Sequence, residues 1–254
     1  MADNTKSKLN KVLSLIVGIL AALLFVSAIV LLVIHYWPVK NNYSNYLNNV
    51  STEEPLPENP VNFAKFKRQN QDVCGFIDID SLDIHEPIVC AGPEKEEDYY
   101  LRRNLEEKYS TGGTVYIQKM NSVNFSDPCT VIYGHNMTNL TMFGRLKEFR
   151  EKEFFDNNEY FRICCPGHIM KYSIKAAFVY DDRHIMNAFN NFENEYDFAK
   201  FVEEVNDPKS LVKNVRDSIE IMPDSKLAVL STCTNIKTER YLVVGVRVED
   251  IRTK

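Results

Sequence analysis

No stripe of lysine and arginine runs through this chain. Its net charge is −5, spread along 254 residues. Nucleic acid is therefore not an expected partner, since a basic patch is the electrostatic footprint of one. Zinc-ligand spacing is missing too. The six cysteines are Cys74, Cys90, Cys129, Cys164, Cys165 and Cys233, and Cys164 and Cys165 are neighbours rather than a CxxC pair. That leaves no basis for a structural zinc site. There is no internal repeat, which excludes a solenoid. Outside an Asn- and Pro-rich stretch after residue 35 there is no low-complexity tract. The acidic cluster Glu94, Glu96, Glu97 and Asp98 reads as a solvated loop rather than a cation site.

Charge is also missing from Val12 to Ile34. As a helix at ~1.5 Å per residue this run is about 35 Å long, enough to cross a bilayer. It is apolar all round, unlike a surface helix with one wet face. Lys6, Lys8 and Lys11 precede it, and Tyr36 and Trp37 follow. That flanking pattern predicts a cytoplasmic N-terminus and an extracellular remainder. The run is longer than a cleaved signal core and ends in bulky residues, so an uncleaved, single-pass anchor in the cell membrane is expected. The domain plan is then 1–11 cytoplasmic, 12–34 transmembrane, 35–59 an extended stalk, and 60–254 a folded domain.

From Val61 to Gln71 the spacing of Val61, Phe63, Ala64 and Phe66 predicts a short helix. Strand signals follow at Gly75–Ile79, Ile84–Val89, Thr114–Gln118, Thr130–Tyr133, Tyr160–Cys164, Met170–Tyr180, Ser218–Met222, Leu227–Leu230 and Tyr241–Val248. They are short, β-branched or aromatic, and bounded by Gly, Pro, Asp or Asn. Helical patches interrupt the strands, at Met142–Phe149 and Tyr196–Val205. This pattern is mostly β and predicts a barrel or sandwich with helical insertions.

Three positions carry chemistry. Leu227-Ala228-Val229-Leu230 is an apolar run that leads into Ser231-Thr232-Cys233, so the thiol sits where a strand leaves the core. Arg240 opens the next apolar run. His135 follows the strand-like Thr130-Val131-Ile132-Tyr133 and Gly134, a residue suited to a tight turn. Cysteine, histidine and arginine make a nucleophile, a proton carrier and a clamp for a carbonyl oxygen. The other histidines, His35, His85, His168 and His184, read as ordinary residues. With Cys233 reserved for catalysis, five thiols remain. They are expected to be mostly buried small hydrophobes. Unperturbed pKa values make an uncoupled Cys–His pair about 1% thiolate–imidazolium at its best pH, which implies a bell-shaped rate profile.

These segments resemble the sortases, the membrane-anchored cysteine transpeptidases of Gram-positive bacteria. The shared features are L-x-T-C (Leu230, Thr232, Cys233), Arg240 shortly after it, and Gly134-His135 upstream. Ser231 before Thr232, the run Tyr133-Gly134-His135-Asn136-Met137, and the long helix-bearing segment from Asp181 to Asp217 are most similar to class B. The resemblance implies a closed eight-stranded β-barrel with helical insertions and an N-terminal helical extension, preceded by one transmembrane helix. It implies that Cys233 attacks the threonine carbonyl of a sorting signal on an exported protein. His135 then protonates the leaving amine, and Arg240 with the Thr234 N–H stabilises the oxyanion. An amine of a lipid-linked peptidoglycan precursor takes the acyl group. Tyr133, Ser231, Thr232 and Thr234 are candidate substrate contacts, and no metal or organic cofactor is implied. Where some class B members carry an acidic residue shortly after the cysteine, Thr234 and Asn235 stand here, so no carboxylate member is carried over. Two other readings share part of this pattern: a hydrolytic cysteine peptidase, and a membrane-tethered binding module without catalysis.

Overall fold

The computed structural model describes residues 19–20, 22–29 and 56–254. The chain divides into two units, 1–40 and 41–254. In the first, the described residues are helical. Among the described residues no helix is long and apolar enough to cross a membrane. Most of the expected anchor (12–34) and most of the stalk (35–59) lie outside the described residues.

The second unit is a barrel. Its strands are β1 (Val73–Ile79), β2 (Ile84–Cys90), β3 (Val115–Ile117), β4 (Cys129–Tyr133), β5 (Tyr160–Cys165), β6 (His168–Asp181), β7 (Lys213–Val215), β8 (Leu227–Cys233) and β9 (Glu239–Arg252). They form one nine-stranded sheet in the order β5-β1-β2-β3-β4-β8-β9-β6-β7, and β5 also pairs with β6. That extra pairing closes a ring of eight strands. The ninth strand, β7, borrows the far half of the long β6, pairing with Ala176–Phe178. Two pairings are parallel, β2 with β3 and β4 with β8.

Alternation along the strands sorts the apolar residues into layers. Ile77, Ile88, Ile117, Ile132, Ile163, Ile174, Leu230 and Val243 fill the barrel interior. The opposite face of β4, β8, β9 and β6 carries Val131, Val229, Leu242, Val244 and Phe178, covered by Phe198, Phe201 and Val205. Those three lie on the helix Glu195–Asn206, whose N-cap Asn194 accepts the Asp197 N–H, replacing one of the amide bonds a helix start lacks. A third cluster seats Phe63 and Phe66 of the helix Phe63–Gln69 against Val73, Phe76 and Val89. This helix is the N-terminal extension ahead of the barrel.

Two expected elements differ. Ser218–Met222 is not a strand. Ile219 and Ile221 pack against the outer cluster without a partner strand, and the ladder position is taken by β7. There Asn214 is fixed by donating to the carbonyls of Phe149 and Arg150. Met142–Phe149 is not a regular helix either. Met142 sits at φ 52°, which interrupts a right-handed helix, and only Leu146–Arg150 winds, as a 3-10 turn. Phe143, Leu146 and Phe149 are nevertheless fully buried. Burial, rather than helicity, produced their spacing.

Candidate active site

Strand β8 is the centre of the site. It runs between β4, its parallel neighbour, and β9, its antiparallel one. Ala228 and Leu230 face the barrel interior, while Leu227 and Val229 face the outer layer. Continuing that alternation puts Ser231 and Cys233 on the outer face and Thr232 on the inner one. Cys233 ends the strand and is exposed, whereas Cys74, Cys129, Cys164 and Cys165 are buried and Cys90 is half-buried. All six thiols are free.

The registers bring the sequence candidates together. Cys233 pairs directly with Arg240 across β8 and β9. Tyr133 on β4 pairs with Ser231, and Tyr116 on β3 pairs with Tyr133. The two tyrosine rings stack, with centroids 5.4 Å apart. Hydrogen bonds continue the β4–β8 contact past the end of the ladder. The Gly134 N–H donates to the Ser231 carbonyl at 3.1 Å. The Thr232 hydroxyl donates to the Gly134 carbonyl at 2.7 Å. The Asn136 side-chain amide donates to the Cys233 carbonyl at 2.9 Å. His135 lies within this laced segment, between two residues that are fastened to β8.

Gly134 is needed for a reason other than a turn. Its backbone has no positive φ. Instead, a Cβ added there would come within 2.7 Å of the Phe143 ring. Gly134→Ala should therefore push on a buried aromatic and cost about 1–3 kcal/mol, as overpacking does. Urea unfolding would check this through the midpoint at unchanged slope.

The imidazole of His135 is half-buried, and its Nε2 lies 2.8 Å from the Leu101 carbonyl. A carbonyl can only accept, so Nε2 carries the proton and Nδ1 is the free nitrogen of the neutral ring. Burial holds the His135 pKa below its ordinary value. The Leu101 carbonyl pulls it up, and the charge of Arg102 pushes it down. Near neutral pH the ring is accordingly mostly uncharged and able to take a proton.

The Arg240 guanidinium is braced from one side. Nη1 donates to the carbonyls of Lys237 and Glu239, at 3.0 and 2.9 Å. This leaves the other edge of its planar fork for a ligand. Burial, followed by the charge of Asp98, pushes the Tyr116 hydroxyl up to about 12. Cys233 and Arg240 act on it in opposite senses, which puts the Tyr116 side chain within electrostatic reach of both. Burial likewise raises Tyr133. Both tyrosines are neutral donors at physiological pH.

Two expected substrate contacts have other partners. Thr232 is buried on the face away from Cys233 and spends its hydroxyl on Gly134, which makes it a fastener. The Thr234 N–H, the expected oxyanion donor, is directed at the Glu239 carbonyl, 3.4 Å away. Its hydroxyl meets the Ile236 carbonyl and the Glu239 carboxylate, both at 3.2 Å. Tyr133 and Ser231 lie on the Cys233 side, Tyr133 half-buried and Ser231 buried.

Three contributors were not singled out from the residues alone: Asn136, Tyr116 and the Leu101 carbonyl. Asn136 adjoins the candidate histidine, and Tyr116 is an aromatic in a recognised strand. A backbone carbonyl carries no residue signal at all. Among the described residues, one cluster has metal-ligand spacing, Asp78, Asp80 and His85. Asp78 is already matched by His85 at 2.6 Å and by the Arg162 Nε at 2.9 Å, so this is an ion-pair network.

The fold and motifs match known proteins. The sortase-domain family model matches residues 77–248. Sortase B of Listeria monocytogenes is 26% identical over 196 residues, covering 76% of this chain and 75% of that protein. The crystal structure of Clostridium perfringens sortase B superposes with a TM-score of 0.65 at 27% identity, covering 74% of this chain and 100% of the other. A Staphylococcus aureus sortase B–substrate complex has the same fold, with a TM-score of 0.65 at 20% identity over 74% of this chain and 85% of its own.

Proposed function

We propose the following roles for this chain, which belongs to the sortase family and is a cysteine transpeptidase of class B: Cys233 is the nucleophile, His135 the proton carrier and Arg240 the oxyanion clamp. One observation carries the reading. The exposed thiol is paired across the ladder with Arg240, and its own carbonyl is tied to the residue after His135.

The chemistry follows from those positions. The Cys233 sulfur adds to the carbonyl carbon of a threonine in a sorting signal. Its proton passes to Nδ1 of His135, and charge gathers on the carbonyl oxygen. Arg240 meets that charge with its free edge. The Thr234 amide is engaged with Glu239, so stabilisation falls chiefly to the guanidinium. Collapse breaks the C–N bond, and His135 gives its proton to the departing amine. A thioester remains. An acceptor amine then adds to it, loses a proton to His135 and expels the sulfur, regenerating the thiol. Tyr133, half-buried on the same face, supplies a substrate contact.

The acceptor in this reading is an amine on a lipid-linked peptidoglycan precursor, and the donor is an exported surface protein. The run from Val12 to Ile34 anchors the enzyme in the cell membrane, with the barrel outside. Such an arrangement keeps enzyme, donor and lipid-linked acceptor at one surface.

Incubating the full chain with a labelled sorting peptide and a short amine acceptor tests the reading. An amide product is expected, preceded by a thioester adduct on Cys233 by mass. Release of free acid alone, at saturating amine, would make the enzyme a hydrolase.

A further inference from the structure

We propose that Tyr100 is a positioning residue for His135, acting through the Leu101 carbonyl that accepts the imidazole N–H. The proposal rests on the catalytic reading above and names the device that aims its histidine.

The Leu101 carbonyl belongs to a 3-10 turn, Tyr99–Arg102, in the long connection between β2 and β3. A connection of that kind drifts unless it is pinned, and an orienting group that drifts does not orient. This one is pinned at Tyr100, the neighbour of Leu101. The Tyr100 ring is buried and packs with the third cluster against the helix Phe63–Gln69. Its hydroxyl donates to Asp72 Oδ2 at 2.6 Å and receives the Asn70 side-chain amide at 2.8 Å. Lys95 closes the knot from the other side, bonding Asp72 at 2.7 Å and Glu107 at 2.8 Å. Glu107 in turn accepts the Tyr99 hydroxyl at 3.0 Å. Tyr99 and Tyr100, the two residues that precede Leu101, are thus held by one carboxylate–ammonium–carboxylate network.

The backbone is clamped as well. The Thr114 N–H donates to the Tyr100 carbonyl at 3.0 Å. Gly113, at φ +57°, lies so close that an added Cβ would stand 2.6 Å from the carbonyl oxygens of Tyr100 and Leu101. Only glycine fits there, on both conformational and steric grounds. Nothing in the packing of a spare loop calls for such a fit. A carbonyl that must meet an imidazole at one distance does.

Besides Tyr99 and Tyr100 themselves, the charged and titratable groups on the elements around His135 are Asp98, Arg102 and Arg103 on and beside the turn, Tyr116 on β3, Tyr133 on β4, Cys233 on β8, and Glu239 and Arg240 on β9. Tyr100→Phe leaves all of them in place and removes only the hydroxyl that pins the turn. Loosening the carbonyl withdraws the one interaction that raises the His135 pKa, so that pKa moves down. A lower histidine pKa means less imidazolium available to protonate the leaving amine.

The test uses the full chain with isotope-labelled histidine. Tyr100→Phe should lower kcat for the sorting peptide about tenfold, with KM within twofold. The His135 titration should shift to lower pH, and the protection of its Nε2 proton from exchange should fall. Asp72→Asn, which weakens the knot from the other end, should shift His135 in the same direction. Unmoved His135 resonances in both Tyr100→Phe and Asp72→Asn overturn the proposal, whatever happens to turnover. If His135→Ala is as active as wild type, the catalytic reading fails alone, and the resonance shift still decides this one.

Discussion

Replacing Cys233 with alanine is expected to end acyl transfer, with turnover falling by about 10⁵–10⁶-fold, the scale seen when a covalent nucleophile is removed. The protein should survive the change. Cys233 is exposed at the end of β8 and contributes no buried volume, and surface substitutions of that kind usually stay within about 0.5 kcal/mol. The variant should therefore unfold at the wild-type denaturant midpoint yet give no thioester with a sorting peptide. That pairing separates lost chemistry from lost fold. Persistent adduct on the variant would move the nucleophile elsewhere, and Cys90 is the other thiol that is not buried.

Arg240→Lys should lower kcat by about 10²–10³-fold, comparable to deleting one oxyanion donor. The substitution keeps the charge, so the prediction tests geometry. Arg240 spends Nη1 on two backbone carbonyls of the β8–β9 turn and keeps its remaining edge for substrate. A lysine ammonium is one point. It can replace the brace or the clamp, and a flexible stem holds it in neither place. Single-turnover acylation should slow, while alkylation of Cys233 by a small reagent should proceed at nearly the wild-type rate. A decrease of less than threefold in acylation would remove Arg240 from the oxyanion.

Alternation and punctuation made most of the barrel legible in advance. The segments around Ile84, Tyr160 and Leu227 became strands with bounds close to those expected: those at Ile84 and Leu227 lie between two largely buried layers, and the one at Tyr160 alternates exposed and buried residues over its first half. Ser218–Met222 failed since its isoleucines found packing without a ladder. Met142–Phe149 failed since helical spacing and buried spacing look alike over one or two turns. The thiol and guanidinium were legible as strand-end residues, and the register set them opposite one another. Gly134 was legible as a constrained position, but for a turn rather than for the ring of Phe143 that crowds it. Thr232 read as a contact because it adjoins the thiol, and a period of two turns it inward. The Leu101 carbonyl was beyond reach. Its role depends on where a 34-residue separation folds back, and any side chain at that position offers the same oxygen.

Strand β8 is flanked by one strand from the middle of the chain and one that follows it. During synthesis, β4 leaves the ribosome nearly a hundred residues before its partner. Until residues 227–252 emerge, the ring stands open and, under the proposed roles, the imidazole has no sulfur to serve. Under those roles reactivity arrives with closure: a nascent polypeptide that ends before β8 carries the histidine and is still chemically silent.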